Sequence, residues 1–156
     1  MTFIRKTLPE QPYLYVEREC PYGPEIAEAM GSGFAAVFGH VSAQGITPLS
    51  MPMSIYLGMD PEILRFRAAV MVNAEDAAKA DGDVKAATLP AGDAMSTMHL
   101  GSYDKMNETH QALWQYMETE KTPAKMPVWE IYIDDPAKTP ADKLRTEIYR
   151  MIDGNA

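Results

Sequence analysis

Apolar residues recur along this chain with two periods, and the places where the period changes give the order of its elements. From Pro12 to Cys20 apolar and polar residues alternate, Tyr13 and Tyr15 suit a strand, and Pro21-Tyr22-Gly23-Pro24 breaks it. A three- and four-residue spacing follows. Ile26, Met30, Phe34, Val37, Phe38 and Val41 line one face of a predicted helix that starts near Pro24 and stops before Gly45. Gly31 and Gly33 within it each cost about 1 kcal/mol relative to alanine, so they need a reason: close packing against a sheet, or flexibility near a ligand. Strands are predicted for Met51 to Leu57 and Ile63 to Val72, around a Met59-Asp60-Pro61-Glu62 turn.

The second half repeats this order. Val84 to Leu89 and Ala94 to Leu100 flank the turn-like Pro90-Ala91-Gly92-Asp93, as one hairpin or one long bent strand. Ser102 is placed to cap a helix whose apolar stripe is Tyr103, Met106, His110, Leu113, Trp114 and Met117. Pro123 and Pro127 end the helical region, and strands are predicted for Val128 to Ile133 and Leu144 to Ile152. Between the halves, Ala74 to Asp83 is small and charged, as in a linker or a short surface helix. The expectation is therefore a single domain of two halves, about 10–73 and 84–153, with a linker at about 74–83. Met51-Pro52, Ile55-Tyr56 and Asp60-Pro61 recur as Met126-Pro127, Ile131-Tyr132 and Asp135-Pro136, which points to duplication. Two related half-domains that pack together leave a cleft, the usual place for a small ligand.

Composition narrows the classes of function. At 156 residues the chain can bury a sizeable core without staples. Cys20 is its single cysteine and cannot form an internal disulfide, so a reducing, cytoplasmic setting is expected. Acidic neighbours Glu17 and Glu19 would raise its thiol pKa, which argues against a nucleophile. The N-terminus has no apolar stretch of the signal-peptide kind, and no apolar run approaches membrane-spanning length. A formal charge of −8 disfavours direct binding to nucleic acid, and with no such apolar run no membrane partner is expected. His40, His99 and His110 make no metal-ligand spacing with one another or with cysteine. Phosphate-binding glycine loops, dinucleotide fingerprints and Gly-x-Ser-x-Gly elbows are missing, so neither metal nor cofactor is expected. Arg65 and Arg67 alternate along a strand and are expected to form a solvated or paired face.

Three motifs resemble one family. Leu89-Pro90-Ala91-Gly92 precedes His99-Leu100-Gly101-Ser102-Tyr103; Trp129-Glu130-Ile131-Tyr132 precedes Asp135-Pro136; and Leu144-Arg145-Thr146-Glu147-Ile148-Tyr149 follows. In order and spacing these resemble the GyrI-like small-molecule-binding proteins, equivalent to the effector-binding domains of AraC- and MerR-type multidrug-responsive regulators. Ser102 stands where that family commonly has proline, and the usual proline of the last strand is missing. The resemblance implies an α+β fold of two β-α-β-β repeats related by a pseudo-twofold, with antiparallel sheets, helices on one face and a ligand cleft between the halves. No DNA-binding helical domain fits beside it in 156 residues, so a stand-alone effector-binding module is expected.

Strand alternation places Trp129, Ile131 and Ile133 on one face and Val128, Glu130 and Tyr132 on the other. The first set is uniformly large and apolar and is assigned to the helix; Glu130 and Tyr132 then face the cleft. By the internal repeat, Ser54 and Tyr56 hold the matching positions, with Met53 beside them. A carboxylate among tyrosines suits a planar cation, and the resemblance implies the same use of Glu130. Trp129 fits either packing beneath the helix or stacking on a ligand at the cleft mouth. His99 is a minor candidate, and His110 is expected to be packed. Twelve methionines suit adaptable binding, although methionine more often fills core.

The leading expectation is a module that senses or sequesters hydrophobic, planar, drug-like molecules, with a cationic group favoured by Glu130. A hydrolase of reactive electrophiles, with Glu130 as general base and Tyr132 or Tyr56 as hydrogen-bond donor, is the alternative. A third expectation is a protein partner, with the acidic surface modulating a DNA-handling enzyme such as gyrase.

Overall fold

The computed structural model describes residues 1–154 and has the expected α+β architecture. In chain order its elements are β1 (Phe3–Leu8), β2 (Gln11–Pro21), α1 (Glu25–Ala43), β3 (Met53–Tyr56), β4 (Ile63–Met71), α2 (Ala74–Ala77), β5 (Lys85–Leu89), β6 (Gly92–Leu100), α3 (Met106–Thr119), β7 (Ala124–Tyr132) and β8 (Arg145–Ile152). They form two compact units, Glu10–Pro90 and Met1–Pro9 with Ala91–Ala156.

The Glu10–Pro90 unit contains one repeat, β2-α1-β3-β4, followed by α2 and β5. Its strands run in the order β3-β4-β2-β5, all antiparallel. Alternation along β2 and β4 turns Leu14, Val16, Phe66, Ala68 and Val70 into a buried cluster with Val37 and Val41 of α1. Gly33 supplies the reason that the helix tolerates it. A Cβ there would lie 2.7 Å from the Ala68 Cβ, so the helix backbone rests directly on β4. Gly31 faces open space and has no such reason. The short helix α2 is capped by Asn73 Oδ1, which accepts from the Asp76 N–H at 2.8 Å.

The other unit is built on the same plan. Its repeat is β6-α3-β7-β8, and its strands run β7-β8-β6-β1, the same order position for position. A turn of 3-10 helix, Tyr103–Lys105, leads into α3, which buries Met106, Thr109, Leu113 and Met117. Ser102 does not cap this helix; its hydroxyl donates to the Asp104 carboxylate instead. Pro127 sits where the β7–β8 register shifts, between Lys125 and Val128, as expected of a residue with no N–H for the ladder.

Two features of this plan differ from the expected one. Residues 74–83 fall inside the Glu10–Pro90 unit, because β5 pairs with β2 from Gln11↔Leu89 to Tyr15↔Lys85 and supplies that unit's fourth strand. The units divide at Pro90 and Ala91, and β5 and β6 do not form a hairpin. The fourth strand of the second unit is β1, which pairs with β6 from Phe3↔Thr97 to Leu8↔Gly92. The first residues of the chain are thus part of its C-terminal sheet.

The two glycines of α1 should respond in opposite directions. Gly33→Ala is expected to lower unfolding free energy by about 1–3 kcal/mol through overpacking against Ala68. Gly31→Ala should raise it by about 0.5–1 kcal/mol, and urea titrations of the two variants side by side measure the contrast.

Candidate ligand-binding site

Strand β7 carries the group hardest to bury. Glu130 is 6 % exposed, and a carboxylate so enclosed needs hydrogen donors. It has two. Tyr132 donates its phenol hydrogen to Glu130 Oε1 at 2.6 Å, and His110 Nε2 lies 2.6 Å from Oε2. With the glutamate ionised, the hydrogen between them sits on the imidazole Nε2.

His110 belongs to α3, so the expected assignment of faces is reversed. Glu130 and Tyr132 point toward the helix of their own unit, together with Thr146 and Ile148, their partners on β8. Trp129 points to the opposite face. There it pairs with Tyr149 and stacks on its ring, centroids 5.1 Å apart and planes 5° from parallel. Trp129 is core, 1 % exposed, and its indole Nε1 is sealed without an acceptor. On the same face the Tyr149 hydroxyl donates to Glu147 at 2.7 Å and accepts from Lys6 of β1 at 2.9 Å. Apolar bulk misled the assignment because α3 offers polar partners, which make a charged sheet face the better complement to it.

Tyr103, in the turn before α3, adds an aromatic wall. Its ring lies 5.5 Å from that of Tyr132 at 60°, a tilted arrangement aromatic pairs favour. Burial raises the Tyr103 pKa, and Asp134, Asp135 and Glu130 add to the rise, so its hydroxyl stays protonated. His99 is a structural residue. Its Nδ1 meets Thr109 Oγ1 of α3 at 2.6 Å and its Nε2 meets the Ser102 carbonyl at 2.8 Å, which ties β6 to the start of the helix.

The corresponding positions of the Glu10–Pro90 unit repeat the geometry but not the charge. Ser54 pairs with Ala68, the residue beneath Gly33, so Ser54 and Tyr56 face α1 as Glu130 and Tyr132 face α3. Ser54 is buried, and Tyr56 packs against the apolar cluster. Met53, paired with Ala69, is on the other face, the counterpart of Trp129. Sequence reasoning treated His110 as packing and Tyr103 as a stripe residue. The signal available for His110 was its place on the stripe of the helix that had to cover β7.

A pocket of about 590 Å³ lies at another place in the Glu10–Pro90 unit, with Tyr22, Leu57 and Met59 on its wall. Four of its charges are paired. Arg65 meets Glu19 at 2.8 Å, and Arg67 meets Glu17 at 3.3 Å and donates to the Tyr13 hydroxyl at 2.8 Å. Cys20 is buried, with its thiol pKa raised by desolvation and by Glu25 rather than by Glu17 and Glu19. Among the described residues no cluster of three or more metal-ligating side chains occurs, and no helix is long and apolar enough to cross a membrane.

The profile of the GyrI-like small-molecule-binding domain matches residues 1–153. The chain belongs to the GyrI-like family. Solved structures agree on the fold of this GyrI-like domain. EcmrR, in complex with DNA, is 19 % identical with a TM-score of 0.78; the match takes in 97 % of this chain but spans 57 % of EcmrR. SAV2435 bound to tetraphenylphosphonium is 16 % identical with a TM-score of 0.68, over 99 % of this chain and 95 % of that one. A hydrolase from Listeria innocua is 21 % identical with a TM-score of 0.65, over 97 % and 91 %. No curated protein is significantly similar in sequence.

Replacing His99 separates scaffold from site. His99→Ala leaves Thr109 and the Ser102 carbonyl without their partner and is expected to cost about 1–3 kcal/mol in a urea titration.

Proposed function

We propose that this GyrI-like domain binds hydrophobic, planar, cationic small molecules at the Glu130 carboxylate, for sensing or sequestration. The observation that supports it is the enclosed carboxylate itself. Glu130 lies under α3 with aromatic side chains beside it. A delocalised cation gains from the carboxylate's charge and from tyrosine ring faces, each well-placed ring contributing about 0.5–2 kcal/mol. Strongly hydrated small cations gain less, because burying them costs more than an apolar pocket returns. Binding of tetraphenylphosphonium, a hydrophobic cation that is tetrahedral and not planar, by SAV2435, a neighbour of the same fold, is in keeping with the hydrophobic-cation part of this reading.

One observation favours a second reading, hydrolysis of reactive electrophiles. The 2.6 Å contact between His110 and Glu130 gives the carboxylate a partner for proton transfer, the arrangement of a general base. In that reading Glu130 takes a proton from water as the water oxygen attacks the electrophilic carbon, the bond from that carbon to its leaving oxygen breaks with the electron pair on that oxygen, and solvent protonates the resulting alkoxide.

Tetraphenylphosphonium titrated calorimetrically into wild type is expected to bind saturably, with at least a tenfold loss in Glu130→Gln, about 1.4 kcal/mol. Equal affinity in the two proteins would refute the Glu130 site. Incubation with styrene oxide tests the second reading: diol formation that Glu130→Gln abolishes while phosphonium binding survives in Tyr132→Phe would establish catalysis, and no turnover above buffer would remove it.

A further inference from the structure

Glu130 is not the only charge that α3 covers. On β8, Arg150 pairs with Val128 across the ladder, which puts it on the same sheet face as Glu130 and one diagonal step away, roughly 7–8 Å for such neighbours. The helix matches this spacing. His110 and Trp114 are four residues apart on α3 and so lie side by side. His110 meets Glu130, and the Arg150 guanidinium lies 5.0 Å from the centroid of the Trp114 ring. The seam between α3 and the sheet therefore has two rungs, one ending in a carboxylate and the other in a guanidinium.

The second rung is incomplete. Arg5 meets Asp93, Arg18 meets Ser32 and the Glu17 carbonyl, Arg65 meets Glu19, Arg67 meets Glu17 and Tyr13, and Arg145 meets Asp134. Among the described residues Arg150 alone of the arginines has no hydrogen-bond acceptor, and its Nε is sealed from solvent. Burial pulls its pKa down with no carboxylate opposing the shift. An indole face supplies only about 0.5–2 kcal/mol to a cation, and it leaves the sealed Nε hydrogen unused.

Trp114 also opens outward. It is 48 % exposed, unusual for a tryptophan on the expected apolar stripe of a helix. Its side chain lines a pocket of about 480 Å³ with Met117, Glu118, Lys121, Thr122 and Pro123. Glu118 and Lys121 carry opposite charges there, and Arg150 approaches the Trp114 ring from β8 without itself lining the pocket.

We propose that Arg150 and Trp114 form a subsite for a planar aromatic carboxylate, its ring against the indole and its carboxylate on the guanidinium. Arginine is suited to this because its fork of N–H groups matches the two oxygens of a carboxylate. The subsite deepens the Glu130 reading, on which it rests for taking the α3 seam as the ligand surface: a ligand that spans both rungs carries charge of both signs.

Three probes with one ring system test it: 2-naphthoate, 2-naphthylmethylammonium and the neutral 2-naphthylmethanol, titrated by calorimetry and tryptophan fluorescence. In wild type the naphthoate is expected to bind at least tenfold tighter than the alcohol. Arg150→Gln should erase that difference, and Arg150→Lys, which keeps the charge but not the fork, should weaken naphthoate at least threefold. Glu130→Gln should leave naphthoate affinity unchanged or improved while it weakens the ammonium. Naphthoate binding no tighter than the alcohol, or indifferent to both Arg150 substitutions, overturns the subsite. Should Arg150→Gln fail to fold by circular dichroism, Arg150→Lys decides alone. Loss of the ammonium's dependence on Glu130 would instead defeat the earlier reading and leave the naphthoate result standing.

Discussion

A carboxylate placed beneath a helix constrains everything around it, because it must be given hydrogens where water has little access. In this protein Tyr132 supplies one from the same strand, and His110 faces the other oxygen from the helix above. The second contact crosses from sheet to helix, so it fixes the rotation of α3 about its axis as well as its height. His99 holds the start of the same helix through the Ser102 carbonyl and through Thr109, one residue before His110. Met106, Leu113 and Met117 supply the apolar burial, but apolar contact is not directional and leaves α3 free to slide or turn. The polar contacts give the helix one position.

The two units solve the same packing problem with different chemistry. Under α1 the sheet offers Leu14, Val16, Phe66, Ala68 and Val70, and Gly33 lets the backbone settle onto Ala68. Under α3 the sheet offers Glu130, Thr146 and Arg150 beside apolar residues. Ser54 and Tyr56 hold the places that Glu130 and Tyr132 hold in the other unit. One copy of the duplicated plan is thus packed largely by area, while the other devotes part of its buried face to charge. In a duplicated domain, divergence of this kind separates a half that carries stability from a half that can carry recognition.

Much of the plan was legible from periodicity. Both long helices and the strands of both repeats occur where spacing predicts them, and the echo between Met51-Pro52 and Met126-Pro127 marks a true correspondence, since β3 and β7 hold equivalent places in their sheets. Pairing across long sequence separations was not legible. Phe3 to Leu8 has little alternation and two adjacent basic residues, yet it is a strand because β6 offers it a partner. The faces of β7 were misjudged for a related reason. Alternation tells which residues share a face, but which face meets the helix depends on what the helix contributes. A stripe that includes His110 and Thr109 prefers a glutamate and a histidine to a second layer of tryptophan and isoleucine.

The place of β1 bears on how the molecule is made. It leaves the ribosome well before β6, whose partner residues are some ninety positions later, with Phe3 opposite Thr97. At typical synthesis rates that is a delay of roughly 5–20 s, during which the Glu10–Pro90 unit has all its strands and can fold. Strand β1 must then stay out of that sheet and wait, and its basic residues Arg5 and Lys6 help to keep it from pairing early. A segment attached ahead of Phe3 would be carried across with it, so its neighbour in the finished protein would be the unit synthesised last.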